Sequence, residues 1–408
     1  MKNFAMLKKP SSIILIIVLI GSILLTTLAY RLVVLAKPQT TSPGLTATLP
    51  PVATAPTGAL PAVPPVQSPS KILGIDAKPD TYHAGVYWVR IGYPNCGWGN
   101  LRGTLLKNTI EMFHRQGIRV LLTFCQDTSS THLFDSAPLF DAAQGRPDAV
   151  QCGNEQMKND PSVAFLHVSP ENFARFYDLC QYEVHAIRSD IPVLLGSLDP
   201  HVGGVDTQPL LDQVSYLNQM QKAMNTVVHP GGHWDWRTQT LGLIDSWHNG
   251  WSNGTPDPSV NSLGHLFAFW AQQFHVDLNS SALGKHLWVV EGTGCFKDCG
   301  IDIHNASQLA VSHTLTLIID VQTSMKYSIP FFYFSGADFE SVGYLWPIGV
   351  LDIHSKPKPL RQDLKMGARN LTLSCATGKI NVIDQETLLA KLYSGCTLPD
   401  NYANVIAS

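Results

Sequence analysis

Two segments, Cys152-Gly-Asn-Glu-Gln156 and His286-Leu-Trp-Val-Val-Glu-Gly292, decide the fold that we predict for this chain. Each places a glutamate at the end of a short apolar run, which is typical of a buried strand. In a βα-barrel the chemistry is kept at the carboxyl ends of the parallel strands. We therefore predict that Glu155 and Glu291 lie across one barrel mouth, where a pair of carboxylates suits the cleavage of a glycosidic bond.

Short apolar runs alternate with longer amphipathic segments from Lys71 onward, which indicates βα units around a parallel sheet. Eight strands are predicted: Ile72–Ile75, Val86–Ile91, Arg119–Phe124, Ala149–Gly153, Pro192–Gly196, Leu241–Ser246, His286–Val290 and Pro330–Phe334. The predicted helices are Leu101–Gln116, Ser169–Arg188, Leu210–Val227, Leu263–Phe274 and Ala306–Met325. A barrel of roughly 250–300 residues would use most of the 408-residue chain. The predicted fold class is thus an α/β (β/α)8 TIM barrel over residues 71–370.

The N-terminal segment predicts export. Residues 1–10 carry three lysines, and residues 11–36 are almost wholly apolar, with Arg31 as their one charge. About 20 apolar residues span a bilayer as a helix, and the lysines place the preceding end in the cytoplasm. We expect a single-pass signal-anchor in the cell membrane, with the barrel outside. The alternative is a cleaved signal peptide, since Val34-Leu-Ala36 resembles a weak cleavage site, and the protein would then be secreted.

Two further regions flank the barrel. Residues 37–70 are rich in Pro, Thr, Ala and Ser, which predicts a disordered, partly extended linker. Residues 371–408 are too few for a second carbohydrate-binding domain, so we predict a small appendage. Its expected strands are Leu371–Ser374, Ile380–Ile383 and Leu388–Tyr393.

Eight cysteines in an exported chain suggest disulfides. Cys295 with Cys299 would close a small loop, and Cys375 with Cys396 would staple the appendage. Another three lie near predicted strand ends and are expected to approach one another: Cys96, Cys125 and Cys152.

The amino-acid composition limits the classes of binding partner that we expect. The net charge of −3 and the charged fraction of 14% argue against nucleic acid, for which a basic surface is expected. We expect a carbohydrate partner, a membrane contact through the N-terminal helix, a monomer, no cofactor and no metal.

The order of the motifs resembles the clan A glycoside hydrolases, the 4/7 superfamily of retaining (β/α)8 barrels that includes cellulase-like and xylosidase-like enzymes. That family has an Asn-Glu pair after strand four, matched here by Asn154-Glu155, and a glutamate after strand seven, matched by Glu291. It commonly has an arginine at the end of strand two, where this chain has Arg90. A histidine or tyrosine near strand six is matched by His248.

The chain also departs from the family pattern. Gln156 stands where the family usually has a proline after Asn-Glu. Phe334-Ser-Gly336 replaces the tryptophan often found after strand eight, and both departures leave the two carboxylates intact. The resemblance covers about residues 71–370.

The resemblance implies roles for these residues. Glu291 would be the ionised nucleophile and Glu155 the protonated acid, since two carboxyl groups about 5–5.5 Å apart do not both ionise freely. Arg90 would hold Glu291 charged, Asn154 would bond the sugar 2-hydroxyl, and His248 would orient Glu291 or tune the acid. Six tryptophans in predicted strand ends or loops are candidates for stacking on sugar faces, with ordinary loop packing as the alternative: Trp98, Trp234, Trp236, Trp247, Trp251 and Trp346. The best candidate for a substrate-binding loop is Gly231-Gly-His-Trp-Asp-Trp236.

Two other functions stay open at this point. A barrel that kept the scaffold and lost catalysis would bind glycans without turnover. A metal-assisted hydrolase would use His229, His233 and His248 and would be sensitive to chelators. The alternative for each glutamate taken alone is a structural role, in which it caps the following helix or pairs with a neighbouring lysine.

Overall fold

Eight parallel strands close into a barrel in chain order in the computed structural model of this chain. They are β1 (Leu73–Asp76), β2 (Trp88–Gly92), β3 (Arg119–Phe124), β4 (Ala149–Asn154), β5 (Val193–Leu198), β6 (Leu243–His248), β7 (Leu287–Thr293) and β8 (Phe331–Phe334). Each predicted strand is present, with ends shifted by a few residues. The predicted parallel α/β barrel is therefore confirmed.

The structure describes residues 72–76, 86–127, 133–158, 164–199, 207–239, 242–248, 263–293, 320, 323–341, 344–346, 348–357, 371–382, 391 and 396. All of them belong to one unit of the chain, Pro64–Ser408. The predicted anchor, the linker and the Cys295–Cys299 pair lie outside these residues. Within the described residues, no helix is both long and apolar enough to cross a membrane.

Helices follow several strands. They are α1 (Gly103–Arg115), α2 (Ser136–Gln144), α3 (Pro170–Ile187), α4 (Thr207–Ala223), α5 (Trp236–Gln239) and α6 (Leu263–Gln273). Four were predicted, and α2 and the short α5 were missed. The predicted helix Ala306–Met325 lies mostly outside the described residues.

Helix α1 shows why these segments pack as they do. Its buried residues Leu106, Ile110 and Phe113 recur at the spacing of one helical face, so that face covers the barrel. Helix α3 begins as its sequence predicts, because the Ser169 hydroxyl accepts a hydrogen bond from Asn172 N and Pro170 needs no partner for its nitrogen.

The barrel interior is layered. Successive inward-facing residues of a strand lie two positions apart. A lower layer is apolar and fully covered: Trp88, Leu121, Ala149, Leu194, Val290 and Phe332. Two residues further along β2, β3 and β4, the next layer is polar and equally buried: Arg90, Thr123 and Gln151. The apolar plug thus closes the barrel below a polar floor at the carboxyl ends of the strands.

Two hairpins follow the barrel. β9 (Phe339–Ser341) pairs with β10 (Tyr344–Trp346), a hairpin that the sequence did not predict. β11 (Leu371–Cys375) pairs with β12 (Gly378–Val382) and matches the predicted start of the appendage. The third predicted strand, Leu388–Tyr393, is wrong at Lys391, its one described residue, which is helical.

Three disulfides join described cysteines. Cys375–Cys396 is present as predicted, and Cys96–Cys125 joins two of the three cysteines expected to meet near strand ends. Cys152 pairs instead with Cys180 of α3. The expectation that Cys152 joins the strand-end group is wrong, because its side chain points outward from β4 to the helix layer.

Candidate active site

The two glutamates stand at the carboxyl ends of β4 and β7 in an unusual backbone conformation. Glu155 has φ 50° and Glu291 has φ 59°, both in the left-handed region. That conformation costs a non-glycine residue roughly 1–2 kcal/mol and needs surrounding contacts to hold it. The backbone N–H of Glu155 donates to Ser197 O at 2.8 Å, and that of Glu291 donates to Asp76 Oδ2 at 3.0 Å. Bonds to β5 and β1 thus hold the backbone of Glu155 and of Glu291 in this conformation.

Arg90 joins the surroundings of the two glutamates. Its Nη1 donates to Glu291 Oε1 at 2.8 Å, and its Nη2 donates to Asn154 Oδ1 at 2.7 Å. Its Nε donates to Thr123 Oγ1 at 2.9 Å and to Gln151 Oε1 at 3.0 Å. The side chain is 2% exposed, so the guanidinium is locked on the polar floor.

Asn154 is also fixed by hydrogen bonds, both of its backbone and of its side chain. Its backbone N–H donates to Gln126 Oε1, and Gln126 Nε2 donates back to the Asn154 carbonyl, both at 2.8 Å. Its side-chain oxygen accepts from Arg90, from Ser197 Oγ at 2.8 Å and from Gln151 Nε2 at 3.2 Å. Because that oxygen is fully used, Asn154 offers a ligand the N–H groups of its amide.

Besides the two glutamates, the site contains the carboxyl group of Asp76, which is the last residue of β1 and lies beside Glu291. It lies opposite Arg90 in the strand register, and its Oδ2 is 3.3 Å from Arg90 Nη1. Burial, against the opposing effect of Arg90 and with a smaller contribution from the neighbouring Glu291, raises the pKa of Asp76 to about 7. Burial alone would lower the pKa of Arg90, but Asp76 and Glu291 together raise it above its usual value. The guanidinium is therefore a permanent cation between two acids.

Glu155 has a cation of its own. Lys158 Nζ donates to Glu155 Oε1 at 2.8 Å and also ion-pairs with Asp199, the residue after β5. Burial works to lower the pKa of Lys158, but Asp199 and Glu155 raise it well above its usual value. Each glutamate is therefore paired with a charged base that a second acid shares.

A half-exposed tryptophan lies at the rim of this site. Trp98 is 49% exposed, and its ring centroid is 5.2 Å from the guanidinium carbon of Arg90. The ring rests on Gly92 at the end of β2, where an added Cβ would lie 2.5 Å from it. The Cys96–Cys125 disulfide ties the loop before it to the end of β3. Trp98 thus presents a fixed aromatic face beside the Arg90–Glu291 pair.

The predicted substrate loop is at the wrong end of the barrel. Trp234 and Trp236 lie between α4 and β6, and loops that enter a strand belong to the amino-terminal face. Trp236 is fully buried against Trp270 and Phe274, and Trp234 packs edge-on against Tyr177 of α3. Trp236 is a core residue and Trp234 is partly buried against the core, both on the face opposite the glutamates, so their assignment to substrate binding is wrong.

Three more of the predicted residues are described in their backbone alone. Trp247 and His248 end β6, and His248 is paired with Thr293 of β7, which puts them at the mouth. Trp346 ends β10 in the hairpin after the barrel. The side chains of these three lie outside what the structure describes, and Trp251 lies outside the described residues altogether.

The histidine cluster of the metal alternative is not assembled. His229 ion-pairs with Asp178 of α3 at 2.7 Å and, like His233, lies before β6, whereas His248 ends that strand. Six residues of strand span about 16 Å, too far for shared ligation. Among the described residues, no group of three or more acids, histidines or cysteines is placed to hold a metal ion.

Sequence reasoning missed several members of the site: Asp76, Lys158, Asp199, Gln126, Gln151 and Ser197. Asp76 and Asp199 had the signal that identified the glutamates, a carboxylate at a strand end. The others are recognisable only from the strand register and from side-chain contacts.

Comparison with known proteins gives similarity at the level of structure. No protein-family model matches the chain, and no curated protein matches it significantly. Among solved structures, the Ignisphaera aggregans GH53 catalytic domain matches with a TM-score of 0.44 and 14% identity over 78% of this chain and 100% of that one. A family 39 glycoside hydrolase from Bacteroides cellulosilyticus matches with a TM-score of 0.46 and 14% identity over 78% of this chain and 69% of the other.

A third match is a Bacteroides uniformis beta-glucuronidase 2, with a TM-score of 0.42 and 10% identity over 73% of this chain. The chain spans 35% of the length of that enzyme. All three are glycoside hydrolases. The eight parallel strands of this chain close into the barrel of the (β/α)8 fold.

Proposed function

We propose that this chain is a retaining glycoside hydrolase in which Glu291 is the nucleophile and Glu155 is the acid and base. The observation that supports this best is the network around Arg90. One guanidinium binds Glu291 through Nη1 and Asn154, the neighbour of Glu155, through Nη2. Two glutamates in strained backbone conformations are thus held on one polar floor above an apolar plug.

The first half of the reaction uses this arrangement directly. The Glu291 carboxylate attacks the anomeric carbon while the glycosidic C–O bond breaks, and Glu155 gives its proton to the leaving oxygen. Arg90 keeps Glu291 ionised, and the amide N–H groups of Asn154 are available to a hydroxyl of the bound sugar. In the second half, water attacks the glycosyl ester, its proton passes to Glu155, and the bond to Glu291 breaks.

The substrate that we propose is an extracellular oligo- or polysaccharide. Trp98 supports this, because a half-exposed indole beside the reacting groups suits the C–H face of a pyranose. Disulfides between described cysteines fit an oxidising location. We propose membrane display through residues 11–36. A reporter fused after residue 40 should partition with membranes, and a fully soluble reporter would contradict the anchor.

The test uses mechanism-based glycosidase probes. The full chain in detergent is incubated with fluorinated and cyclitol-type probes of several sugar configurations, and its intact mass is recorded. The expected result is one stoichiometric adduct that maps to Glu291 and is absent from Glu291→Gln. The absence of any adduct, together with glycan binding and no hydrolysis, would favour the binding-only alternative.

A further inference from the structure

Lys158 lies between the proposed acid and a more deeply buried carboxylate. Its Nζ is 2.8 Å from Glu155 Oε1 and in contact with Asp199 Oδ2. The side chains of Lys158 and Glu155 are each 11% exposed, whereas that of Asp199 is 1% exposed. One ammonium therefore serves two acids, the outer of which must gain and lose a proton in each turnover.

The charges of Glu155, Lys158 and Asp199 suit an ammonium that moves between the two carboxylates. With both carboxyl groups ionised, the three residues carry a net charge of −1. When Glu155 takes up a proton, Lys158 and Asp199 remain as a neutral pair. A buried ammonium without a partner is costly, so Asp199 allows Glu155 to become neutral while Lys158 stays paired.

We propose that Lys158 is a positioning residue that moves between Glu155 and Asp199 and so determines when Glu155 holds its proton. This inference rests on the proposed glycosidase function. While Glu155 is the protonated acid, Lys158 pairs with Asp199 alone. Once the proton has left with the leaving group, Lys158 returns to the Glu155 carboxylate. When water attacks, its proton passes to Glu155, the bond from Glu291 to the sugar breaks, and Lys158 is released to Asp199.

The side-chain chemistry of lysine suits this role. Its ammonium sits on a flexible four-carbon stem, and a small rotation changes its partner. Arg90, by contrast, has its nitrogens committed to Glu291, Asn154 and the floor of the barrel. Charged groups around Glu155 include Lys158 directly, Asp199 through Lys158, and Arg90 through Asn154. Asp76 and Glu291 stand beyond Arg90.

Two substitutions should move the pH dependence in opposite directions. Lys158→Met removes the cation, so Glu155 should hold its proton to higher pH and the alkaline limb of kcat/KM should rise by roughly 1–2 pH units. Asp199→Asn removes the second of the two acids that Lys158 contacts, so the ammonium should favour the ionised form of Glu155. The alkaline limb of kcat/KM should then move to lower pH. A purely structural role would not reverse the direction.

Three further variants are controls for the possibility that a single substitution unfolds the protein. Lys158→Met in the Asp199→Asn background leaves neither charge buried alone, and its limb should lie above that of Asp199→Asn. Lys158→Arg keeps the cation and should restore most of the wild-type profile. Lys107→Met removes a lysine from an exposed pair with Glu111 on α1 and should leave the profile unchanged. Thermal melting of each variant confirms that it is folded.

A second measurement is independent of turnover. In the full chain labelled with ¹³C at the glutamate carboxyl carbons, the Glu155 signal is the one that disappears in Glu155→Gln. Its titration midpoint should be higher in Lys158→Met and lower in Asp199→Asn than in the wild type. Unchanged midpoints, or shifts in the same direction in both folded variants, would overturn the proposal. Opposite shifts in a protein without hydrolysis would instead reject the glycosidase function and keep Lys158 and Asp199 as the groups that set, in opposite directions, the protonation of Glu155.

Discussion

The surroundings of Glu291 and of Glu155 are built from the same parts and differ in one respect, their freedom to move. Each glutamate lies near the carboxyl end of a strand with positive φ, contacts a cation and has a second acid on the other side of that cation. On the Glu291 side the cation is Arg90, which is 2% exposed and bonded to two strands besides β7. On the Glu155 side it is Lys158, which is 11% exposed and lies in the turn after β4.

That difference matches what each proposed role requires. A nucleophile is needed in one charge state, and a fixed guanidinium between Asp76 and Glu291 maintains it. An acid that later becomes a base must change its charge twice, and a flexible ammonium with a second acceptor accommodates the change. The contrast teaches that the two carboxylates can be assigned from their cations rather than from their own positions.

The largest expected effect is at Glu291. Glu291→Gln removes the proposed nucleophile but keeps the bond to Arg90, so turnover of every substrate should be abolished while the melting temperature changes little. Steady-state assays on activated and natural glycosides measure this. Normal activity in the variant would end the assignment.

Glu155→Gln should have a selective effect. Substrates with very good leaving groups need little help from an acid and should be cleaved at near the wild-type rate in the first step. Poor leaving groups should lose about 10²- to 10⁴-fold. Hydrolysis rates over a series of aryl glycosides test this, and an equal loss across the series would contradict the role.

Arg90→Met should cost the most stability. Breaking a buried ion pair by removing one partner costs about 3–5 kcal/mol, and here two acids lose their cation. Urea unfolding measures the change in the free energy of unfolding. Arg175→Met, in an exposed pair with Glu171 on α3, is the matched control and should have a much smaller effect. Equal losses in both would show that Arg90 is not the anchor of the site.

Asp76→Asn should change how stability depends on pH. Burial raises the pKa of Asp76 to about 7 from 3.8, so the folded chain holds a proton that the unfolded chain releases. The stability from this group is present below about pH 4 and is lost as the pH rises to about 7. The free energy of unfolding of the wild type should therefore fall relative to Asp76→Asn across that range. Parallel curves from urea unfolding at stepped pH would refute the protonated state.

The smallest effect is expected at Trp98. Trp98→Ala removes the aromatic face beside Arg90 and should raise KM severalfold with kcat little changed, because stacking holds ground state and transition state alike. Trp98→Phe should retain most of the affinity. Tyr182→Ala, at an exposed aromatic on the outer face of α3, is the control. A fall in kcat with KM unchanged would argue that Trp98 orients Arg90 instead.

The amino-acid sequence by itself determined the barrel and the positions of Glu155 and Glu291. Largely apolar runs such as Arg119–Phe124 indicate parallel strands that are buried on both faces. The amphipathic segments between these runs indicate the helices that surround the barrel. The strands follow one another around the barrel in chain order. A polar residue directly after such a run therefore lies at the carboxyl end of its strand. The same rule would have placed Trp234 and Trp236 at the opposite edge, because they precede β6.

The tertiary structure alone decided the partners of these residues. Asp76 meets Glu291 because β1 closes the barrel between β2 and β8 and its tip reaches the floor that Arg90 and β7 share. Lys158 meets Asp199 because the turn after β4 folds over the end of β5. Contacts between residues far apart in the chain depend on register and on the direction of side chains, and neither leaves a periodic trace in the sequence.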